Sequence, residues 1–494
     1  MNKFAKLVGY DKSKQTTAKT EIVAGIVTFL AMAYILTLNP LLMLNMFDTE
    51  ATVRFDHLYS SVFVATALGG FLGTLLMAVY AKLPLAQAPG LGLNSMVGGL
   101  LGGSLIGLSL SFGNAMLLVF ASGILFLLMS VLKIHGLSIR EIIYRAIPKS
   151  IRSAISVGIG LFIAIIGLDN ADIVIAGEGK VITMTNFASW DMSVIGPALV
   201  CLFGFFVIAI LSHFDVKGSV IIGIVAATLF GLIPAIGVTQ WSSETWKFWE
   251  HFKGFFSFDT AEGGAFFAVF TEGFSFPDGV SIASLVMVVI TFCMIDMFDT
   301  MGTCVGCCSA AGLMTEDGTP VNYNRIMMSD SIATASGALL GTSTVTTFVE
   351  SGAGISAGGK TGLTALTTAI LFLLSIFFLP VFASIPGAAA SAALIWVGCL
   401  MMKGVKDVQV DSVKDCVPTF FTIAMMPFGY SITTGIGLGI LSYVLIGVCE
   451  YLVHFFAYLF SKDEQKTKPV WDLHVVMLII AALFVVYFFV PISF

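Results

Sequence analysis

Ala65 to Thr74 reads ATALGGFLGT, and Ala333 to Thr342 reads ATASGALLGT; seven of the ten positions are identical. Both stretches lie inside long apolar runs, so the chain carries an internal duplication of a membrane-embedded segment, and duplication of this kind is how many transporters are built. A second, weaker pairing sets Gly223, Ile224 and Gly231 against Gly439, Ile440 and Gly447, with the same eight-residue spacing. Small residues at such intervals let helix backbones approach closely in lipid.

Working outward from the duplicated pair, the composition fixes the solvent. Of 494 residues 57% are hydrophobic and only 11% charged, far from the balance of a soluble domain. Runs long enough to cross a bilayer as helices, which takes about twenty apolar residues, recur from Ile22 to Leu44, Leu58 to Ala81 and Ala115 to Leu132, and onward to the C-terminus. No stretch remains for a sizeable soluble domain. The first run follows a basic leader (Lys3, Lys6, Lys12, Lys14, Lys19) and is too long for a signal-peptide core, so it is expected to be a retained first span.

If the duplicated pair is span two against span nine, each half holds seven spans, and an odd number makes the halves enter the membrane from opposite sides. The expectation is an all-α polytopic protein of about fourteen spans in two inverted repeats. The first repeat covers 1–237, a connecting extracytoplasmic segment 238–280 and the second repeat 281–494. The run Val417 to Pro427 is short for a span, and Leu473 to Val490 reads either as an extra segment or as a helix lying on the membrane. With the N-terminus on the cytoplasmic side, all of the 24 Lys and Arg residues except Arg54, Lys180, Lys247 and Lys253 fall on that side, as cytoplasmic loops require.

Non-helical backbone at membrane depth survives only where it is buried in protein or lines a cavity. Two segments have that character: AQAPGLGLNSM (Ala86 to Met96) and GTSTVTTFVESGAGISAGGKTG (Gly341 to Gly362). They fall in spans three and ten, matching positions of the two halves, where a broken pair points to a substrate site. Ionisable groups inside spans mark binding sites or pathways. The sequence reading finds Asp296 and Asp299 in MIDMFDTMG of span eight and Glu350 in span ten, with no Lys or Arg at depth. Asp296 and Asp299 share a helix face, one suited to ligate substrate and the other to hold a helix end. All six His lie in or near loops, so a proton carried at membrane depth rides on a carboxylate, with Asp299, Glu350 and Asp296 as candidates.

Two motifs argue for other chemistry and are discounted. GISAGGKT, Gly354 to Thr361, fits the phosphate-loop consensus, but its surroundings lack the soluble strand-loop-helix context that a nucleotide needs. Cys304, Cys307 and Cys308 have CxxC spacing inside a span without nearby His, so neither a metal site nor a disulfide framework is expected. Rival functions are a channel, a phosphate-loop enzyme, a carrier of uracil or xanthine, and a small-anion carrier; the last would place a cation at the site.

Read together, EIVAGIVTFLAMAYILTLNP, APGLGLNSM, DMFDTMGT and GTSTVTTFVESGAGISAGGKTGLTA resemble the AzgA-like purine permeases of the nucleobase-ascorbate transporter (nucleobase:cation symporter-2) superfamily, in order and through most of the chain. The resemblance implies a core domain of spans one to four and eight to eleven, a gate domain of spans five to seven and twelve to fourteen, and short extended stretches in spans three and ten. It places substrate ligands at Asn94, Asp299 and Glu350, with Thr303, Phe348 and Ser351 as secondary contacts. The function it implies is proton-coupled import of adenine, guanine or hypoxanthine across the plasma (cell inner) membrane, with no enzymatic step. No cofactor beyond the coupling ion H+ and no nucleic acid is implied. Partners are the purine and membrane lipid, and monomer or homodimer is left open.

Overall fold

The computed structural model describes residues 3–489 except 11–15, 45–55, 104, 106–107, 135–136, 178–179, 217, 234–235, 237, 239–254, 257–259, 261–263, 316–319, 384, 409, 430 and 460–470. The chain is mostly helical. Among the described residues eight helices are long and apolar enough to cross a membrane, and four shorter apolar helices accompany them.

Span one is two helices, Ala18–Met32 and Ile35–Met43, interrupted at Ala33 and Tyr34; Thr17 caps the first by accepting from the Thr20 N–H. Span two is Tyr59–Leu76, continued by one π-helical stretch, Met77–Ala81. Span three is a strand, Gln87–Pro89, followed by the helix Leu91–Leu101. Span four, Phe112–Val131, starts at a capping box made by Ser111 and Asn114, which satisfies donors that the first helical turn leaves open. Spans five to seven are Lys149–Asn170, Met192–His213 and Ser219–Gly231.

The second half repeats this order. Span eight is Ile282–Ala310, span nine Tyr323–Leu340, and span ten the strand Val345–Thr347 followed by the helix Ser351–Ser356. Spans eleven to fourteen are Gly362–Ser375, Gly387–Met401, Val413–Phe428 and Ile432–Leu459. The short apolar run near Val417 is thus a 16-residue helix extended at its polar start. Spans five and twelve each begin directly after a proline, Pro148 and Pro386; the missing N–H costs nothing at a helix start.

Packing repeats under the exchange of each span for the one seven later. Span four packs on nine as eleven packs on two, and one packs on eleven as eight packs on four. Five meets thirteen as twelve meets six, six meets seven as thirteen meets fourteen, and seven meets twelve as fourteen meets five. Three contacts are their own counterparts: span two with nine, five with twelve, and the strand of three with that of ten. The weaker glycine pairing obeys the same exchange. A Cβ on Gly223 would collide with Ile208 of span six, and one on Gly439 with Thr422 of span thirteen.

Two features have no counterpart in the sequence reading. A two-stranded hairpin, Val174–Gly177 with Lys180–Met184, joins spans five and six. The amphipathic helix Ile139–Ala146 joins spans four and five. The C-terminal run is a distinct helix, Val475–Phe489, which packs on span fourteen, on span eight and on Ile139–Ala146. About half of the connecting segment 238–280 lies outside the described residues; its described part includes the short helix Ala268–Thr271.

Candidate substrate-binding site

The two broken spans meet. Gln87–Pro89 pairs antiparallel with Val345–Thr347, in the register Gln87 with Thr347, Ala88 with Thr346 and Pro89 with Val345. The ladder extends by one bond at each end, from the Gly90 N–H to Thr344 O and from the Phe348 N–H to Ala86 O, both 3.0 Å. Pro89 cannot donate, and the run Thr344, Val345, Thr346, Thr347 favours extended backbone. All six strand residues are buried in protein, the condition under which extended chain is tolerated at membrane depth. The duplicated segments shape this crossing, because added Cβ atoms on Gly69 and Gly337 would both press on Thr342 and Val345.

Around the crossing the structure brings together three of the side chains singled out in the sequence. Asn94, in the first turn of the helix after the span-three strand, is fully buried; its Oδ1 accepts from the Ser343 hydroxyl, and its Nδ2 has no partner among the described residues. Asp299 of span eight accepts from the Thr346 hydroxyl at 3.4 Å. Glu350, between the span-ten strand and its helix, accepts from the Tyr34 hydroxyl at 2.5 Å. Asp299 and Glu350 lie within electrostatic reach of each other. Phe348 is buried at the end of the strand, and Thr303 is half-buried one turn beyond Asp299 on the same face.

Two candidates are engaged elsewhere. The Ser351 hydroxyl accepts from the Ala86 N–H at 3.0 Å and so braces the strand crossing. Asp296 accepts from Thr334 of span nine at 2.9 Å.

Several polar groups at depth escaped the sequence reading. Asp330 of span nine is fully buried, accepting from Gln87 Nε2 and the Thr300 hydroxyl, both 2.8 Å. Arg140, in the connecting helix Ile139–Ala146, is a buried cation that the sequence did not mark. Its guanidinium is fully buried, donates to the Ser130 hydroxyl at 2.9 Å, lies 4.9 Å from the Phe126 ring centroid, and sits within reach of the Asp330 charge. Asp330 was legible as a carboxylate in an apolar helix; Arg140, in a polar connecting run, carried no such signal.

Glu21 was missed too, and it disposes of the phosphate-loop reading. Its carboxylate accepts from the backbone N–H groups of Lys360 and Thr361, at 3.1 and 3.2 Å, and from the Thr364 hydroxyl at 2.6 Å. The glycine-rich turn therefore holds a carboxylate of its own chain and caps span eleven with it. Cys304, Cys307 and Cys308 are free and buried, and among the described residues no cluster with metal-ligand composition is found.

Two facing carboxylates, an unpaired amide donor and a buried aromatic ring suit a flat, neutral ligand with hydrogen-bonding edges. The chain is 37% identical over 437 residues to the guanine/hypoxanthine permease PbuO of Bacillus subtilis, covering 88% of this chain and 93% of that one. It is 35% identical over 435 residues to the adenine permease AdeP of Escherichia coli, covering 88% of each. Among solved structures, the transmembrane domain of a cyanobacterial bicarbonate transporter, BicA, matches with TM-score 0.54 at 14% identity, over 86% of this chain and 97% of that one, a likeness of fold. Residues 19–438 match the Permease family as a whole, and with these relatives they establish that the chain is a polytopic membrane transport protein belonging to that family.

Proposed function

We propose that the chain imports a purine nucleobase, adenine, guanine or hypoxanthine, together with a proton. The observation that carries the reading is the convergence of Asn94, Asp299 and Glu350 on the crossing of spans three and ten. Purines present N–H and amino donors beside ring-nitrogen or carbonyl acceptors. The carboxylates accept from the donors, and Asn94 Nδ2 supplies a donor for an acceptor. A site that pairs each edge group rejects analogues that leave its polar groups unpaired. Phe348 covers a ring face and Thr303 completes the lining, while Ser351 supports the strand crossing behind it. The names of PbuO and AdeP support the substrate class.

Transport proceeds by alternating access between two bodies. Spans one to four and eight to eleven form the body that holds the site, and spans five to seven and twelve to fourteen form the gate; the paired packing relations support this division. Asp299 and Glu350 carry the proton, with Asp296 in a supporting position. The protein works in the plasma (cell inner) membrane with its N-terminus in the cytoplasm.

Uptake of radiolabelled adenine, guanine and hypoxanthine into proteoliposomes tests the reading. It should saturate, be competed by unlabelled purines and collapse with a proton uncoupler. Uptake that ignores the uncoupler and follows a sodium gradient replaces the coupling ion, and absence of purine uptake discards the substrate class.

A further inference from the structure

Span one is interrupted at Ala33 and Tyr34, and the interruption aims one side chain at the site. Tyr34 is 2% exposed, and its hydroxyl donates to Glu350 Oε1 at 2.5 Å. It also lies within electrostatic reach of Asp299. A phenol has a single hydrogen to give but keeps lone pairs with which to accept. While Glu350 is a carboxylate, that hydrogen is committed to it, and the pair offers a ligand acceptors only. Once Glu350 takes up a proton from solvent, the carboxyl can donate its own hydrogen to the Tyr34 oxygen, and the phenol hydrogen becomes free for a ring nitrogen or carbonyl of the base.

We propose that Tyr34 is a substrate-contacting residue that, through its bond to Glu350, converts protonation of this carboxyl into a donor for the substrate, and so couples the proton to the base. The inference rests on the purine-proton reading given above and extends it to a residue outside the expected ligand set. The titratable groups that face Glu350 are Tyr34 from span one and Asp299 and Cys307 from span eight. Tyr34 alone among them both touches Glu350 and carries a hydrogen that can be reassigned without a net charge of its own.

The test compares the wild type, Tyr34→Phe and a protein carrying 3-fluorotyrosine at position 34, each full-length in proteoliposomes, with folded fraction checked by size-exclusion chromatography. Three readouts are taken: adenine and guanine binding, base exchange without a gradient, and uptake at pH 6 and pH 8. The wild type should bind more tightly and take up faster at the lower pH. Tyr34→Phe should still bind and exchange base, yet lose the low-pH gain of up to roughly tenfold, the scale of one buried hydrogen bond to a neutral acceptor, so that its two uptake rates become equal. Fluorotyrosine, which keeps the hydrogen, should restore the difference. Tyr34→Phe that retains the wild-type pH response overturns the inference, as does one that loses binding, exchange and uptake by one common factor at both pH values. If the wild type itself binds no purine, the functional reading fails first and takes the inference with it. Purine binding with an unaltered pH response in Tyr34→Phe leaves that reading standing and removes only the role of Tyr34.

Discussion

The hydroxyl of Thr334 donates to Oδ2 of Asp296 at 2.9 Å. Thr334 is the second residue of ATASGALLGT, and its counterpart in ATALGGFLGT, Thr66, accepts from Asn39 of span one at 2.6 Å. Asp296 and Asn39 therefore hold equivalent positions, each tying the first or eighth span to a duplicated helix. That separates the two aspartates of span eight: Asp296 braces the helix pair, whereas Asp299 meets the crossing strand at Thr346. Asp296→Asn should keep most purine uptake and lower the yield of folded protein, since an amide serves this position in the other half. Asp299→Asn should cut uptake at least about tenfold with normal yield, the loss expected when a charged hydrogen-bond acceptor is removed. Initial uptake rates normalised to detergent-purified yield decide between them, and the reverse ranking exchanges the roles.

Glu350→Gln keeps the shape of the side chain and an acceptor for Tyr34 but removes the charge and the proton site. Uptake driven by a proton gradient should fall below a tenth of the wild-type rate, while the protein folds and inserts as before. Measurable purine binding to this variant, with no accumulation against a gradient, separates loss of coupling from loss of the ligand; normal accumulation would remove Glu350 from the site.

Glu21 is fully buried and satisfies two backbone donors at the start of span eleven together with the Thr364 hydroxyl. Glu21→Ala leaves those donors without a partner, which costs on the order of 1–3 kcal/mol for each buried group, so a marked fall in thermal stability in detergent is expected. Glu21→Gln, which keeps an acceptor, should be milder. Lys360→Ala should leave purine uptake close to normal, and the purified protein should hydrolyse no nucleotide; hydrolysis lost with Lys360 would revive the phosphate-loop reading.

What could be read in advance followed from periodicity and symmetry. The duplicated decapeptides located spans two and nine, and Pro89 with the threonine run of span ten marked the breaks, because both features violate the helical pattern directly. The interruption of span one left no such mark. AMAYIL reads as continuous helix, so Tyr34 stayed hidden, and its value depends on Glu350, 316 positions away. Arg140 was invisible for the opposite reason: a basic residue in a polar run predicts solvent, and only the packing of Phe126, Ser130 and Met327 encloses it. Glu21 stands in the first turn of span one at the edge of an apolar run, where an acid draws no notice, and its partners lie at the start of span eleven.

The moving-body mechanism places Asn94, Asp299 and Glu350 on one unit and demands that this unit slide past the gate. Gly92, two residues before Asn94, marks the seam, since a Cβ there would lie 3.0 Å from Ile432 Cδ1 of span fourteen and 3.6 Å from Ile159 Cγ2 of span five. On the proposed mechanism, the absence of a side chain at Gly92 keeps the two bodies from interlocking at this point. Cysteines at positions 92 and 159, in a background with the exposed Cys399, Cys416 and Cys449 replaced by serine, can be joined by a short bifunctional reagent. The crosslinked protein should still bind purine, because the three ligands remain on one body, yet should neither accumulate nor exchange it, because the site cannot change sides. Cleaving the link should restore uptake. Full uptake by completely crosslinked protein would rule out relative movement at this seam.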